Sequence, residues 1–190
     1  NGFPNVTTYF MVTDQDGRPV YDLTEDLFNV TEDGVEANIT DFVPAGENQV
    51  PITVVLCIDS SGSMTGEPLA DAKYAAKLFV NHMQINDSVA VLTFNDQVSV
   101  VSDFSSNKVH LKRAIDGIND GGGTAMYDGL FYSLDALAGK EGVRAVIILS
   151  DGVSNSDSHT FEEAMDRADD LQVPVYSIGL GSDVDDEKLG

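Results

Sequence analysis

The sequence predicts an α/β fold in which a doubly wound, mostly parallel sheet is flanked by helices. Residues 52–58 form a nearly continuous apolar run rich in β-branched side chains. Such a run, without polar alternation, is typical of a strand buried on both faces. Similar runs return at 88–94 and 143–149. Segments with helical spacing of apolar residues separate these runs, and strands that alternate with helices indicate a parallel sheet.

Residues 1–48 precede this pattern and predict part of an antiparallel β-sandwich. Short strand patterns alternate there with Gly-containing turns, and they fall at 7–13, 19–21, 27–31 and 35–43. About 45 residues are too few to bury a complete sandwich core. We therefore expect the missing strands to come from another part of the full protein or from packing on the second domain.

The run from Asp14 to Gly17 is predicted to be a turn between the first two of these strands. Its Asp-x-Asp-Gly pattern is similar to the start of a calcium loop. The later ligands of an EF-hand do not follow it, so we interpret it as an ordinary turn.

Pro44 and Gly46 indicate a linker, after which residues 49–190 form the predicted α/β domain. Pro68 stands near the start of a helix whose apolar residues recur up to Met83. A turn at Asn95 and Asp96 then leads into an antiparallel edge strand at 97–101. Further helices are predicted at 109–118, 124–137 and 160–171, and a last strand at 173–180. Residues 184–189 resemble the start of another helix, so we expect the domain to be truncated at its C-terminal end.

Composition restricts the partners that the chain is expected to bind. The 190 residues include 32 Asp and Glu against 10 Lys and Arg, for a formal net charge of -22. Such a field repels phosphate groups, which argues against nucleic acid and anionic membranes. No apolar run is long enough to span a membrane, so we expect no membrane insertion by this part of the chain. The single cysteine, Cys57, lies in a predicted buried strand and is expected to act as a small hydrophobe.

Polar residues follow two of the buried strands and open one of the helices. Asp59, Ser61 and Ser63 come directly after the first central strand, Thr124 follows three glycines, and Asp151 follows the strand at 143–149. If these loops share the carboxyl edge of the sheet, they meet in the crevice where α/β proteins bind ligands. Carboxylate and hydroxyl oxygens suit Mg²⁺, Mn²⁺ or Ca²⁺ and not zinc or copper. The alternative is that the Ser and Asp residues only cap the next helix.

This pattern resembles the metal-ion-dependent adhesion site of von Willebrand factor A domains, the fold also found in integrin inserted domains. The family motif is Asp-x-Ser-x-Ser, then a threonine in a second loop and an aspartate in a third. The resemblance covers about residues 50 to 190, and the Asp-x-Ser-Gly-Ser-Met form is most similar to prokaryotic surface members. It implies a Rossmann-like fold, no enzymatic activity, and an extracellular or cell-surface location, the periplasm included.

The resemblance also implies a role for each residue of the motif. Ser61 and Ser63 would bind the cation directly, Thr124 would do so in the ligand-bound state, and Asp59 and Asp151 would often act through water. The ion would then accept an acidic side chain from a protein partner, which makes the chain a metal-dependent adhesion or protein-binding module. The family's final strand and helix are not visible in this sequence, so no conformational switch is implied.

Asp128 is predicted to support this site from one helical turn beyond Thr124. It could hold a Ser hydroxyl or a metal-bound water. The alternative is an ordinary acid near a helix start, favoured by the helix dipole.

Two other functions are compatible with the same residues. One is a magnesium-dependent phosphoryl-transfer or hydrolytic enzyme, although the three loops carry neither Lys nor Arg to clamp a phosphate. The other is a metal that only stabilises the loops. The histidines do not add a zinc site, because their spacing fits none; we expect His82, His110 and His159 at the surface or at helix ends.

Overall fold

The computed structural model describes residues 6, 8, 10, 12–16, 18, 20, 23–43, 51–152 and 154–180. The chain divides into two compact units, Asn1–Val50 and Pro51–Gly190. Each unit has its own sheet. The expected helix at 184–189 lies outside the described residues.

The first unit contains a two-stranded antiparallel hairpin of β1 (Val30–Glu32) and β2 (Val35–Ala37). Asp33 and Gly34 join the strands, with φ values of 50° and 79°. Positive φ at both positions matches the twist of a two-residue hairpin turn. A 3₁₀ turn at Glu25–Leu27 precedes the hairpin.

The predicted strands of this unit were partly wrong. Leu27 belongs to the 3₁₀ turn rather than to a strand, and residues 38–43 carry the alternating pattern without forming one. An alternating pattern is not sufficient for a strand, because the backbone N–H and C=O groups of a strand need a neighbouring strand to bond to. β1 pairs with only three residues of β2. The strand patterns at 7–13 and 19–21 lie largely outside the described residues.

The predicted turn after Val12 is present. The carboxylate of Asp14 accepts hydrogen bonds from the backbone N–H groups of Asp16 and Arg18, each at 2.9 Å. The N–H of Val20 donates to the C=O of Val12 at 2.8 Å and joins the two ends of the turn. The Asp14 side chain therefore makes the local backbone contacts that are typical of turns.

The second unit is built on a five-stranded sheet, whose strands are β3 (Ile52–Asp59), β4 (Ser88–Phe94), β5 (Val98–Ser105), β6 (Val143–Ser150) and β7 (Val175–Gly179). Their spatial order is β5-β4-β3-β6-β7. The central strand β3 pairs in parallel with β4 and β6, β7 pairs in parallel with β6, and β5 runs antiparallel to β4. The predicted mostly parallel sheet with an antiparallel edge strand is confirmed.

Helices cover both faces of this sheet: α1 (Glu67–His82), α2 (Lys108–Asp116), α3 (Met126–Leu137) and α4 (Phe161–Leu171). On β3, Val54, Leu56 and Ile58 pack in one cluster with α1 and α2. Val55 and Cys57 pack in the other cluster with α3 and α4. Both faces of β3 are therefore shielded from solvent, which is why its sequence shows no alternation of polar and apolar residues.

Several element boundaries differ from those predicted, for physical reasons. β5 extends to Ser105 because its ladder with β4 continues as far as the pair of Val89 and Ser105. β7 begins at Val175, directly after Pro174, which lacks the N–H that a ladder needs. α3 begins at Met126 rather than Thr124, because the C=O of Thr124 accepts from Asn155 and Ser156, while the N–H of Asp128, its partner in a helix, donates to Asp157.

Candidate metal centre

The three predicted loops meet at the carboxyl edge of the sheet. β3 and β6 are parallel neighbours, so Asp59 and Ser150 end their strands at the same edge. β4 lies on one side of β3, and β6, which comes later in the chain, lies on the other. The strand order therefore reverses at β3, and a doubly wound sheet has its ligand-binding crevice at such a point. The loop after β3 is tied to the glycine loop by two backbone hydrogen bonds, from Gly121 to Ser60 at 2.8 Å and from Gly62 to Gly122 at 3.0 Å.

Asp59 is a fully buried carboxylate at the end of β3. One oxygen, Oδ1, accepts from the N–H of Ser61 at 2.8 Å, and Oδ2 accepts from Ser150 Oγ at 2.6 Å. Burial raises the pKa of Asp59; the hydrogen bonds from Ser150 and Ser61 lower it, and the charge of Asp151 adds to the rise. The net result is a raised pKa. Without a metal, the fold therefore disfavours the charged form of Asp59.

Two hydroxyls converge in the loop that follows. A 3₁₀ turn at Gly62–Met64 brings Ser61 Oγ within 3.0 Å of Ser63 Oγ. Met64 is completely buried and packs into the core beside α1, which anchors the turn. Ser61 is buried and Ser63 is exposed, so this pair leads from the crevice toward solvent.

Thr124 is held through its main chain. Its N–H donates to Asn155 Oδ1 at 2.9 Å, and its C=O accepts from the N–H groups of Asn155 and Ser156 at 2.9 and 3.1 Å. The residue is 3% exposed, yet its hydroxyl takes part in none of the hydrogen bonds found between described residues. That hydroxyl is available to a ligand.

Asp151 has a buried oxygen without a partner. Its Oδ1 is shielded from solvent and accepts no hydrogen bond, and it is the sole such side-chain atom in the described part of the chain. A buried carboxylate oxygen is normally paired, so this atom indicates a missing positive group. The loops around it carry neither Lys nor Arg.

The donor set fits a hard divalent cation. Within the described ranges, no group of three or more His, Cys, Asp or Glu side chains gathers as a metal cluster. Two carboxylates therefore have to be completed by hydroxyl oxygens, which suits Mg²⁺, Mn²⁺ or Ca²⁺ and not zinc.

The hydrogen bonds of Asp128 run to the loop after β6. Its carboxylate accepts from the backbone N–H groups of Ser158 and His159 and from His159 Nδ1, the last at 2.6 Å. Burial acts to raise the pKa of Asp128, but the hydrogen bonds from His159 and Ser158 outweigh it and leave the pKa lowered. The imidazole stacks on Phe131 with ring centroids 4.0 Å apart. Asp128 thus ties α3 to the loop after β6.

That loop also caps α3, which sequence reasoning missed. Ser154 Oγ accepts from the N–H of Met126 at 3.2 Å, and Asp157 Oδ1 accepts from the N–H groups of Tyr127 and Asp128 at 2.7 and 3.2 Å. These groups are the orphan donors of a helix start. The one signal in the sequence is the polar run that follows β6 at 154–158, and it does not reveal its target about 30 residues earlier.

The sequence profile of the von Willebrand factor type A domain matches residues 53–190. This chain belongs to that family. The family is known for protein–protein interaction and adhesion. The match covers the four described helices of the second unit and its sheet, apart from Ile52 at the start of β3.

Relatives of this von Willebrand factor A domain occur in bacteria and animals. An uncharacterised protein of Synechocystis sp. is 29% identical over 140 residues, which are 71% of this chain and 33% of that protein. The inter-alpha-trypsin inhibitor heavy chain H3 of Homo sapiens is 28% identical over 159 residues, which are 75% of this chain and 18% of that one. The chain therefore spans a third or less of these relatives.

A solved structure of three N-terminal domains of the type V pili tip protein from Porphyromonas gingivalis shares this fold. It is 26% identical, with a TM-score of 0.53, and the likeness covers 55% of this chain and 20% of that one. Among the described residues of the present chain, no helix has the length and apolar character needed to cross a membrane.

Proposed function

We propose that this domain binds protein partners through a divalent cation held by Asp59, Ser61, Ser63, Thr124 and Asp151. The observation that carries the proposal is the buried Oδ1 of Asp151, which has no hydrogen-bond partner. Leaving a buried carboxylate oxygen unpaired costs about 1–3 kcal/mol or more. A cation beside this oxygen removes that cost.

The electrostatics of the crevice support the same conclusion. The charge of Asp151 contributes to the raised pKa of buried Asp59, so the two carboxylates repel each other. The three loops carry neither Lys nor Arg to offset that repulsion. Mg²⁺, Mn²⁺ or Ca²⁺ would neutralise both acids and use the hydroxyl of Thr124, which is bonded to none of the described residues.

The residues of the chain prepare the site for a partner. Asp59 fixes the turn after β3 through the N–H of Ser61, and Ser150 holds the other oxygen of Asp59 in place. The exposed side chain of Ser63 marks the open side of the crevice. When bound, the cation supplies an electrophilic position that accepts an acidic side chain of the partner.

Binding is a better assignment than catalysis for this arrangement. A magnesium-dependent phosphoryl-transfer or hydrolytic enzyme needs a positive group to hold the phosphate, and these loops have neither Lys nor Arg. The net charge of -22 also disfavours nucleic acid. The family's adhesive members and the pilus tip relative support a place outside the cell, on its surface or in the periplasm, as in prokaryotic surface proteins.

Thermal unfolding tests the metal site. We expect Mg²⁺, Mn²⁺ or Ca²⁺ to raise the melting temperature above its value in EDTA, since a ligand at 100 times its Kd stabilises the fold by about 2.7 kcal/mol. Asp151→Asn should abolish the rise, whereas Asp169→Asn, which removes an exposed charge of α4, should keep it. Equal ion responses in wild type and Asp151→Asn would refute the site.

Peptide selection tests the partner chemistry. Random displayed peptides are captured in Mg²⁺, released with EDTA, and compared with those captured by the Asp151→Asn variant. We expect the peptides captured only by the wild type to contain an Asp or Glu that binding requires. Replacing that residue by Asn or Gln should end binding. Peptides that bind equally well in EDTA, or that need no acid, would contradict the proposal.

A further inference from the structure

We propose that Asn155 is a positioning residue of the metal centre, which fixes Thr124 so that its hydroxyl faces the cation. This inference rests on the proposed function. Asn155 Oδ1 accepts from the N–H of Thr124, and the N–H of Asn155 donates to the C=O of Thr124, both at 2.9 Å. One residue thus engages both main-chain polar groups of another that lies 31 positions earlier.

The neighbours of Thr124 are held as firmly. The N–H of Gly123 donates to Asp96 Oδ1 and the N–H of Ala125 to the C=O of Asn95, both at 2.7 Å. On the opposite side, the N–H of Ser156 donates to the C=O of Thr124 at 3.1 Å. The loops after β4 and β6 therefore both form hydrogen bonds with the segment 123–125.

Fixing this backbone also fixes the hydroxyl. Threonine is branched at Cβ, so its χ1 angle has few accessible values once the main chain is set. The main-chain groups of Thr124 are committed to the hydrogen bonds described above, whereas its hydroxyl is not bonded to any described residue. The hydroxyl oxygen is therefore the atom of Thr124 that can coordinate a metal.

The glycine before Thr124 is needed for this arrangement. A Cβ placed on Gly123 would lie 2.4 Å from Ser156 Oγ, 2.5 Å from Asp96 Oδ1 and 3.1 Å from Asn155 Oδ1. The first two distances are too short for real contacts, so the flanking loops can approach position 123 this closely because it has no side chain. The close approach brings Asn155 within reach of Thr124.

Asn155 acts on the cation through Thr124 and not as a ligand. Its Oδ1 already accepts from the N–H of Thr124 and from Ser156 Oγ, the latter at 2.7 Å. It also lies in the loop that begins at Asp151, so its hydrogen bonds link that loop to the segment that carries Thr124. Loss of a group that orients a metal ligand lowers metal affinity by about 10- to 100-fold.

Mn²⁺ binding to the whole chain, followed by electron paramagnetic resonance and water-proton relaxation, tests this role. Asn155→Ala should weaken Mn²⁺ binding by about ten-fold or more and, with acetate present as the carboxylate ligand, add a water to the bound ion, as Thr124→Val should. The double variant should bind no more weakly than Thr124→Val alone, because both changes withdraw the same donor. Ser156→Ala is the matched control; it keeps its backbone contact to Thr124 and should bind as wild type.

The outcomes separate this inference from the metal site itself. A wild-type Kd for Asn155→Ala, or a loss that adds in full to that of Thr124→Val, would overturn the role of Asn155 alone. Wild-type binding no tighter than that of the Asp59→Asn, Asp151→Asn double variant would overturn the metal centre together with it. If Asn155→Ala does not fold, Asn155→Asp retains the acceptor for Thr124; an added water on its bound Mn²⁺ would equally refute the role.

Discussion

At the scale of single residues, Asp59 is the proposed metal ligand that the fold stabilises in its protonated form and that a cation would need in its charged form. Its carboxylate is fully buried, and burial together with the charge of Asp151 leaves its pKa raised. A raised folded-state pKa favours the protonated form, so the stabilising effect of this group is complete below its unfolded pKa and is lost as the pH rises through the folded value. Ionisation of Asp59 without a metal therefore lowers the stability of the domain.

Replacing Asp59 by Asn should remove that penalty. In EDTA at pH 7, we expect Asp59→Asn to melt at or above the wild-type temperature, with the difference shrinking as the pH falls toward 4. With Mg²⁺ added, only the wild type should gain stability. Asp71→Asn, which removes an exposed charge on α1, controls for the change in net charge. A lower melting temperature for Asp59→Asn at every pH would show that its hydrogen bonds outweigh its desolvation.

Asp128 has the opposite titration behaviour. Its hydrogen bonds with His159 and Ser158 overcome burial and lower its pKa, so it stabilises the fold above its unfolded pKa of about 3.9. That contribution is lost as the pH falls through the lower folded value. Since a carboxylate only accepts, His159 Nδ1 carries the proton in this pair.

We expect Asp128→Asn to lower the free energy of unfolding by about 1–3 kcal/mol at pH 7, because its amide group faces N–H donors. Urea denaturation should show the gap to wild type closing between pH 5 and pH 3. Asp135→Asn, which loses a surface contact to Arg167, should have a smaller effect. A gap that stays constant with pH would contradict the assignment.

At the scale of elements, α3 lies unusually close to the sheet. A Cβ added to Gly129 would be 2.7 Å from a ring carbon of Phe94 and 3.2 Å from Cys57 Sγ. The helix can approach β3 and β4 only because this position has no side chain. The close packing also fixes the start of α3 beside Thr124 and Asp128, at the edge where the site lies.

Gly129→Ala should therefore destabilise the domain although alanine favours helices. We expect a net loss of about 1–3 kcal/mol from overpacking, measured by urea denaturation. Gly117→Ala is the matched control: its added Cβ would be 3.5 Å from the nearest atom, the C=O oxygen of Ala114, and it should be tolerated. A stabilised Gly129→Ala would mean that α3 shifts outward freely.

At the scale of the whole molecule, Cys57 reports on opening of the second unit. It is the single cysteine of the chain, completely buried in β3 beneath α3. Burial raises the pKa of its thiol to about 12, so the reactive thiolate is scarce in the folded state. Reaction with a thiol reagent requires that the sheet and the helix separate.

We expect Cys57 to react slowly in EDTA and more slowly with Mg²⁺. When opening limits labelling, the rate should fall by about 100-fold at a metal concentration 100 times the Kd. Asp151→Asn should show no such protection, and protein unfolded in urea gives the reference rate. Labelling near the reference rate under native conditions would show that α3 opens locally.

Some features could be predicted from local patterns. The sheet of the second unit follows from the apolar run at 52–58 and its repeats, because burial on both faces leaves a direct mark on composition. The strand predicted at 35–43 was too long, because alternation does not tell where a partner strand ends. His159 was expected at the surface or at a helix end, and its contact with Asp128 has no local signature.

The sequence by itself determined the fold class, the family motif and the order of the proposed donors, Asp59, Ser61, Ser63, Thr124 and Asp151. These depend on residues that are close along the chain or on the ends of predicted strands. Only the tertiary structure decided that Asp151 Oδ1 is left without a partner and that Asn155 holds Thr124. The reason is physical: hydrogen bonds between loops about 30 residues apart depend on how the helices pack on the sheet, and no local pattern records that distance.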